Sequence, residues 1–232
     1  MGATIEKNFS EMSVAEVALA FPQAPDVLNK YGIDYCCGGN SSFGTACEKA
    51  GVNASKVYAE ISAHGAGAHA HLRDVSNWKP ALLIDYIVQV HHTYVKDAIP
   101  KLTALLDKTC RAHGAEHPDL MEIRDNFNTL AQELLEHLEK EENILFPEIR
   151  ETGLDQHTPL QIVLDDVDEE HRTAGKLIKS IRQLADNYTV PEDACTTYTL
   201  TYKKLEEFER DLMQHIHLEN NVLLKKVSPA ID

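Results

Sequence analysis

The chain has 232 residues, 43% of them hydrophobic, and its 37 acidic against 22 basic residues give a formal charge of −15. That length and apolar content suffice for one large domain and a small one, and exclude a disordered chain. The acidic balance opposes contact with nucleic acid or anionic lipid and suits a soluble protein that handles cations.

The opening MGATIEKNFSEMSVAEVALAF has no basic segment followed by a long apolar core, and no later run approaches the ~18 apolar residues of a membrane span. The expected compartment is therefore the cytoplasm, with no membrane partner. Residues 1–63 read as a small N-terminal helical domain, its short helices broken by Pro22, Pro25, Gly32, Gly38, Gly39, Gly44 and Gly51. Within it, Cys36-Cys37 precedes Gly38-Gly39. Adjacent cysteines have Cα atoms about 3.8 Å apart, below the usual disulfide range of about 4.4 to 6.8 Å, so free thiols are expected. The glycines let the backbone approach a partner. The thiols are thus candidates to bind a soft metal, exchange disulfides or pair across a dimer, the alternative being small buried residues. Cys47, Cys110 and Cys195 have no such spacing and read as structural, and five cysteines without a framework fit a reducing compartment. Residues 64–77, opening HGAGAHAHLRD, read as a linker. His64, His69 and His71 there are expected to be solvated, with transient metal binding as the alternative.

From 78 to 232 the pattern is all-α, four long helices of an antiparallel bundle. Ser76 or Asn77 caps the first, with Pro80 in its opening turn, and ALLIDYIVQVHHTYV carries apolar residues at helical spacing. Pro100 is expected to kink or interrupt it. The second helix runs from about Pro118 through LMEIRDNFNTLAQELLEHLEKEENILF towards Pro147 and Gly153. The third opens at Thr158-Pro159 and the fourth around Pro191. Turns of a few residues make sequential helices antiparallel neighbours.

The chemistry lies in a repeat. His137 and Glu141, four apart, recur as His215 and Glu219, within HLEKEENILF and HIHLENNVLL, and each pair follows another histidine, His92 or His171, by 45 and 44 residues. Residues four apart project from one helix face and can bind one ion or bridge two. At 1.5 Å per residue, His92 and His171 lie about 18 Å into their helices, and His137 and His215 about 21 and 18 Å from the same end of theirs. All six therefore fall in one layer, and carboxylate and imidazole groups from four facing helices are how di-iron and di-manganese bundles are built. One such pair alone is more often an ordinary helix-surface contact; two copies with matched upstream histidines argue for ligation. His91 and His217 stand about 100° and 200° of helix away from their neighbours and are not expected as ligands.

Mixed imidazole and carboxylate ligation suits iron, manganese or zinc rather than calcium or magnesium, with iron favoured. Six protein ligands for two ions leave room for an oxo or hydroxo bridge and a small ligand such as dioxygen or nitric oxide. Glu133 and Asp211, one turn before the motif histidines, and Glu170 beside His171, are candidates to fix a ligand or move a proton; a solvated helix face is the alternative.

Taken together, DYCCGG in a short N-terminal domain, then EEHRTAG, H-x-x-x-E-E-N-I-L-F-P and H-x-x-x-E-N-N-V-L, resemble the repair of iron centres proteins over nearly the whole chain. The resemblance implies a hemerythrin-like bundle in which His92, His137, Glu141, His171, His215 and Glu219 hold two non-haem irons, with Glu141 and Glu219 bridging. It further implies a cytoplasmic homodimer that restores iron-sulfur proteins damaged by nitric oxide or peroxide. LLKK at 223–226 departs from the L-F-P of the first motif and bears on the end of the fourth helix. Three readings follow. The chain is an iron-donating repair protein whose Cys36 and Cys37 receive iron or dock the target, a nitric oxide scavenger or reductase, or a hemerythrin-like dioxygen or redox sensor. A purely structural metal is disfavoured, because six polar ligands in a core sacrifice apolar packing.

Overall fold

The computed structural model describes residues 9–21, 23–63, 75–152 and 160–227. They divide into two compact units, Met1–Leu83 with Met213–Asp232, and Ile84–Leu212. Among the described residues there is no strand, only an isolated bridge between Ser13 and Ser42. His64, His69 and His71, like the Thr158-Pro159 start expected for the third bundle helix, lie outside the described residues.

The first unit begins with four short helices, α1 (Val14–Ala20), α2 (Ala24–Lys30), α3 (Phe43–Lys49) and α4 (Ala54–Ala63). Local signals set their ends. Ser13 and Glu16 form a reciprocal capping box, with the Glu16 amide donating to Ser13 Oγ at 3.1 Å and the Ser13 amide to Glu16 Oε2 at 2.8 Å. Gly32, at φ 65°, turns the chain out of α2, a conformation that a side chain disfavours. Phe9 meets the rings of Phe21, Phe43 and Tyr58 at 4.3 to 5.4 Å, and this aromatic cluster with Val14, Val17, Leu28 and Ile61 is the core.

Four long helices follow from Pro80, most of their length in the second unit, with Pro80–Leu83 and the stretch from Met213 onward counted in the first. Helix α5 (Pro80–Tyr86) starts at the expected proline and passes through a π-helical segment, Ile87–His92, into α6 (Thr93–His113). It is not interrupted at Pro100, which sits inside α6. The missing donor costs one bond, while Ile99 and Leu102 on either side are buried. Helix α7 (Asp119–Lys140) likewise continues through a π segment, Glu141–Leu145, into α8 (Phe146–Thr152). Helix α9 spans Leu160–Leu184, and α10 (Thr196–Leu218) runs into a third π segment, Glu219–Leu223, and α11 (Leu224–Val227). Within Ile84–Leu212, α6 packs on α7 and α7 on α9. Phe208 of α10 meets Phe127 of α7 edge to face and Tyr94 of α6 at a tilt, and Thr201 bonds Thr109 of α6 at 2.9 Å. Phe127 and Phe208 are fully buried, each contributing roughly 2–3 kcal/mol of apolar transfer.

The fourth helix opens at Thr196 rather than near Pro191. Asp186, Asn187 and Tyr188 all have positive φ, and the buried Tyr188 hydroxyl donates to Glu209 Oε2 at 2.6 Å. Arg182 Nε donates to the other oxygen of Glu209 at 2.7 Å. This anchored left-handed turn is followed by an ordinary turn, in which the Ala194 amide donates to Pro191 C=O, before the helix can start.

Candidate metal centre

His92 closes the first π segment and is fully buried. Its Nδ1 is 2.8 Å from Glu142 Oε1, and Glu142 in turn accepts from Lys96 Nζ at 2.8 and 3.0 Å. The opposite nitrogen, Nε2, stands 3.3 Å from Glu141 Oε2. His137, one turn before Glu141 on α7, approaches the same oxygen with its Nε2 at 3.4 Å. Across on α9, His171 Nε2 is 3.1 Å from His137 Nε2. The outer nitrogen of His137, Nδ1, is held by Glu170 Oε2 at 2.8 Å, and Glu170 also pairs with Lys140.

Two features show that this arrangement suits cations. Glu141 Oε2 is buried between two imidazole nitrogens without a hydrogen bond to either. And the two Nε2 atoms of His137 and His171 converge with that carboxylate, their ligand atoms within 4.8 Å of one another. Buried nitrogens and a carboxylate oxygen aimed at one another need a shared positive charge more than they need each other. Fixing the outer imidazole nitrogen to a carboxylate is how proteins orient metal-binding histidines, and both His92 and His137 have that support. The bond from His137, ahead of burial and with help from Lys140, brings the Glu170 carboxyl down to about 2. Burial alone would raise Glu142, but Lys96 and His92 bring it below the usual range.

In the other unit, His215 Nε2 and Glu219 Oε1 form their own buried pair at 2.8 Å. Both motif glutamates open a π segment. The Phe146 amide donates to Glu141 C=O and the Leu224 amide to Glu219 C=O, five residues back in each case.

Residues 83–227 match the model of the Hemerythrin HHE cation binding domain, and residues 10–64 match ScdA_N, a domain of unknown function (DUF542). The chain is also similar to the iron-sulfur cluster repair protein ScdA of Staphylococcus epidermidis, 32% identical over 225 residues covering 93% of this chain and 97% of that protein. ScdA of Staphylococcus haemolyticus is 31% identical, covering 94% and 99%. The iron-sulfur cluster repair protein YtfE of Yersinia pseudotuberculosis is also 31% identical, covering 94% and 97%. The chain belongs to the repair of iron centres family.

As expected of that family, the fold is all-α, with a hemerythrin-like bundle. The other candidate residues have definite places. Glu133 is exposed and lines an acidic depression with Glu136, Lys140, Asp166, Glu169, Glu170 and Thr173, whereas Glu170 reaches His137 from the facing helix. Asp211 accepts from His91 Nδ1 at 3.0 Å, so His91 is buried against a carboxylate of its own. His217 donates from Nδ1 to Tyr35 C=O at 3.0 Å; with that proton in place, Asn221 Nδ2 donates instead to Cys36 C=O, also at 3.0 Å. Burial brings His217 down to about 4 and keeps it neutral. Glu142, Lys96 and Lys140 were not singled out by sequence reasoning, although the doubled Glu141-Glu142, where the second copy reads Glu219-Asn220, is a visible signal for Glu142.

Cys36 and Cys37 are free thiols, their Sγ atoms 3.6 Å apart. Asp34 Oδ1 accepts the amides of Cys36 and Cys37 at 2.9 and 3.0 Å and the Cys36 thiol at 3.2 Å. Contact with Cys37, burial and the Asp34 charge push the Cys36 thiol well up. Gly39 is needed for close approach, because a Cβ there would stand 2.7 Å from Tyr35 C=O and 3.0 Å from Asn221 Oδ1. Cys47 and Cys110 are buried, whereas Cys195 is exposed just before α10, where the Tyr198 amide and His113 lower its thiol to about 7.

Proposed function

We propose that this protein restores iron-sulfur clusters damaged by nitrosative or oxidative stress, with iron as its cargo. The observation that carries the reading is Glu141, a buried carboxylate oxygen between the imidazoles of His92 and His137, in a chain whose relatives are named iron-sulfur cluster repair proteins. The proposed ligands of two irons are His92, His137, Glu141, His171, His215 and Glu219, with both glutamates bridging. The repeat of the His–Glu spacing and of the π segment that follows it supports counting His215 and Glu219 with the other four. These residues would hold a pair of non-haem irons, which would supply redox chemistry and binding of a small ligand such as nitric oxide or dioxygen.

The chain's own residues position the candidate ligands. Glu142 with Lys96, and Glu170 with Lys140, orient His92 and His137. Glu170 also lines the depression whose five carboxylates outnumber its single lysine, a field that gathers cations beside His137. Residues 1–63 present Cys36 and Cys37 to a damaged acceptor, 64–77 link them to the rest, and 78–232 carry the metal. The expected setting is a cytoplasmic homodimer; no described helix is long and apolar enough to cross a membrane.

The test is Mössbauer spectroscopy of iron-57-loaded protein, titrated with an apo iron-sulfur acceptor and separately with nitric oxide, counting iron on each. A coupled pair that passes metal to the acceptor is the expected result. A pair that consumes nitric oxide while keeping both irons replaces repair with gas handling, and no coupled pair at all removes the ligand assignment.

A further inference from the structure

We propose that Cys36, Cys37 and Met213 form a site for a soft monovalent metal ion, copper(I), using none of the imidazole and carboxylate ligands described above. Three sulfurs meet here. Met213 Sδ is 3.3 Å and Cys37 Sγ 3.6 Å from Cys36 Sγ. Ligands about 2.3 Å from one ion in a trigonal shell stand roughly 4 Å apart, so each of these two separations needs to lengthen by well under 1 Å to admit a metal beside Cys36. Thiolate and thioether donors together select copper(I), whereas the nitrogen and oxygen donors elsewhere in the chain suit harder ions.

The loop is built to hold the sulfurs together. Side chains of adjacent residues ordinarily diverge, but Asp34 Oδ1 gathers both cysteine amides and the Cys36 thiol. The ligand atoms of Asp34, Cys36 and Cys37 consequently lie within 4.8 Å of one another. From the helix side, His217 and Asn221 fix the Tyr35 and Cys36 carbonyls, one turn or two beyond Met213 on the same stretch of chain. Cys36 and Met213 are buried, Cys37 is partly exposed and Asp34 exposed, which gives the ion an entrance on the Cys37 side. On binding, each thiol exchanges its S–H bond for a bond to copper, and two protons leave to solvent. The thioether has none to lose, and the occupied sulfur shell carries one net negative charge. No electron is transferred.

The inference does not depend on the iron reading, and its test records both metals. The full iron-loaded chain is titrated anaerobically with copper(I) against the chromophoric chelator bicinchoninate, with copper-edge X-ray absorption and an iron count on the product. The expected result is one copper per chain in a shell of three sulfurs, with iron retained. Met213→Leu, which conserves volume, should weaken binding at least tenfold and leave two sulfurs. The double variant Cys36→Ser/Cys37→Ser should not compete with the chelator. Should Met213→Leu fail to fold, selenomethionine-labelled protein must show copper–selenium scattering. Wild-type protein that cannot compete overturns the proposal. So does a Met213→Leu variant with unchanged affinity and sulfur count, a copper shell without selenium, or a nitrogen and oxygen shell with iron displaced.

Discussion

The pairs His137–Glu141 and His215–Glu219 share a spacing and a π segment, yet their surroundings differ. Around the first, charged groups lead outwards: His137 to Glu170 and Lys140, and Glu142 to Lys96. Around the second, one charge is lost and two of the corresponding positions turn inward. Asn220 stands where the first copy has Glu142, buried His217 where it has exposed Glu139, and buried Asn221 where it has exposed Asn143. Both side chains of that second set, His217 and Asn221, bond the backbone of the cysteine loop. A duplicated His–Glu motif therefore has two different settings. One copy is set against a solvated acid–base shell, the other against a thiol-bearing loop.

The harshest way to break the comparison is at the carboxylate that two histidines of the first copy share. Glu141→Ala removes the oxygen approached by both His92 and His137, and metal content by mass spectrometry should fall from two per chain to below one. Retention of two would refute the bridging assignment. Next in size is Glu170→Gln, which keeps an acceptor for His137 Nδ1 but removes its charge. Apparent metal affinity should drop about 10- to 100-fold in chelator competition, the usual effect of losing a carboxylate behind a ligand histidine. If affinity is unmoved, the outer shell of the first copy is surface decoration.

The repeated His–Glu spacings, the all-α bundle and the proline starts near 80 and 118 were legible because they depend on helix period and caps alone. The three π segments were not: each inserts a wide turn, and nothing in IVQVHH, EENIL or ENNVL departs from ordinary helix composition. Glu133 and Asp211 share a face with His137 and His215 only to within about 40° per four residues, enough to leave Glu133 exposed and to hand Asp211 to His91. Glu170 was legible only as a neighbour of His171, since its bond to His137 crosses from α9 to α7. Met213 carried no sequence signal at all; its contact with Cys36 spans 177 residues.

Acid should separate the two copies further. His217, neutral with its value brought down to about 4, takes up a proton near pH 6.5 once unfolded. The unfolded chain thus binds more protons between those values. Stability is full above about 6.5 and falls as pH drops towards 4, by about 3 kcal/mol in all. In urea titrations of metal-free protein, His217→Gln should lose this part of the slope between pH 7 and 5, and Glu139→Gln should keep it. Glu170 works in a lower window: depressed to about 2, its contribution is whole above about 4.3 and fades as pH falls through 2. An unchanged slope in His217→Gln would mean that this histidine is solvated rather than clamped.

The finest test compares two asparagines at the same place in the repeat. Asn143 Nδ2 donates to Glu139 C=O of its own helix at 2.8 Å, in full view of solvent, so water replaces it when it is removed. Asn221 donates to Cys36 C=O inside the protein, where its removal strands a buried carbonyl. Asn221→Ala should therefore cost about 1–3 kcal/mol, and Asn143→Ala less than about 0.5 kcal/mol, by chemical denaturation. The same change should free the backbone of the cysteine loop, so thiol labelling of Cys36 in native protein should quicken in Asn221→Ala and stay slow in Asn143→Ala. Equal costs with unaltered labelling would show that the second copy, like the first, carries its asparagine only as helix surface. The division between a solvated half and a loop-holding half would then fail.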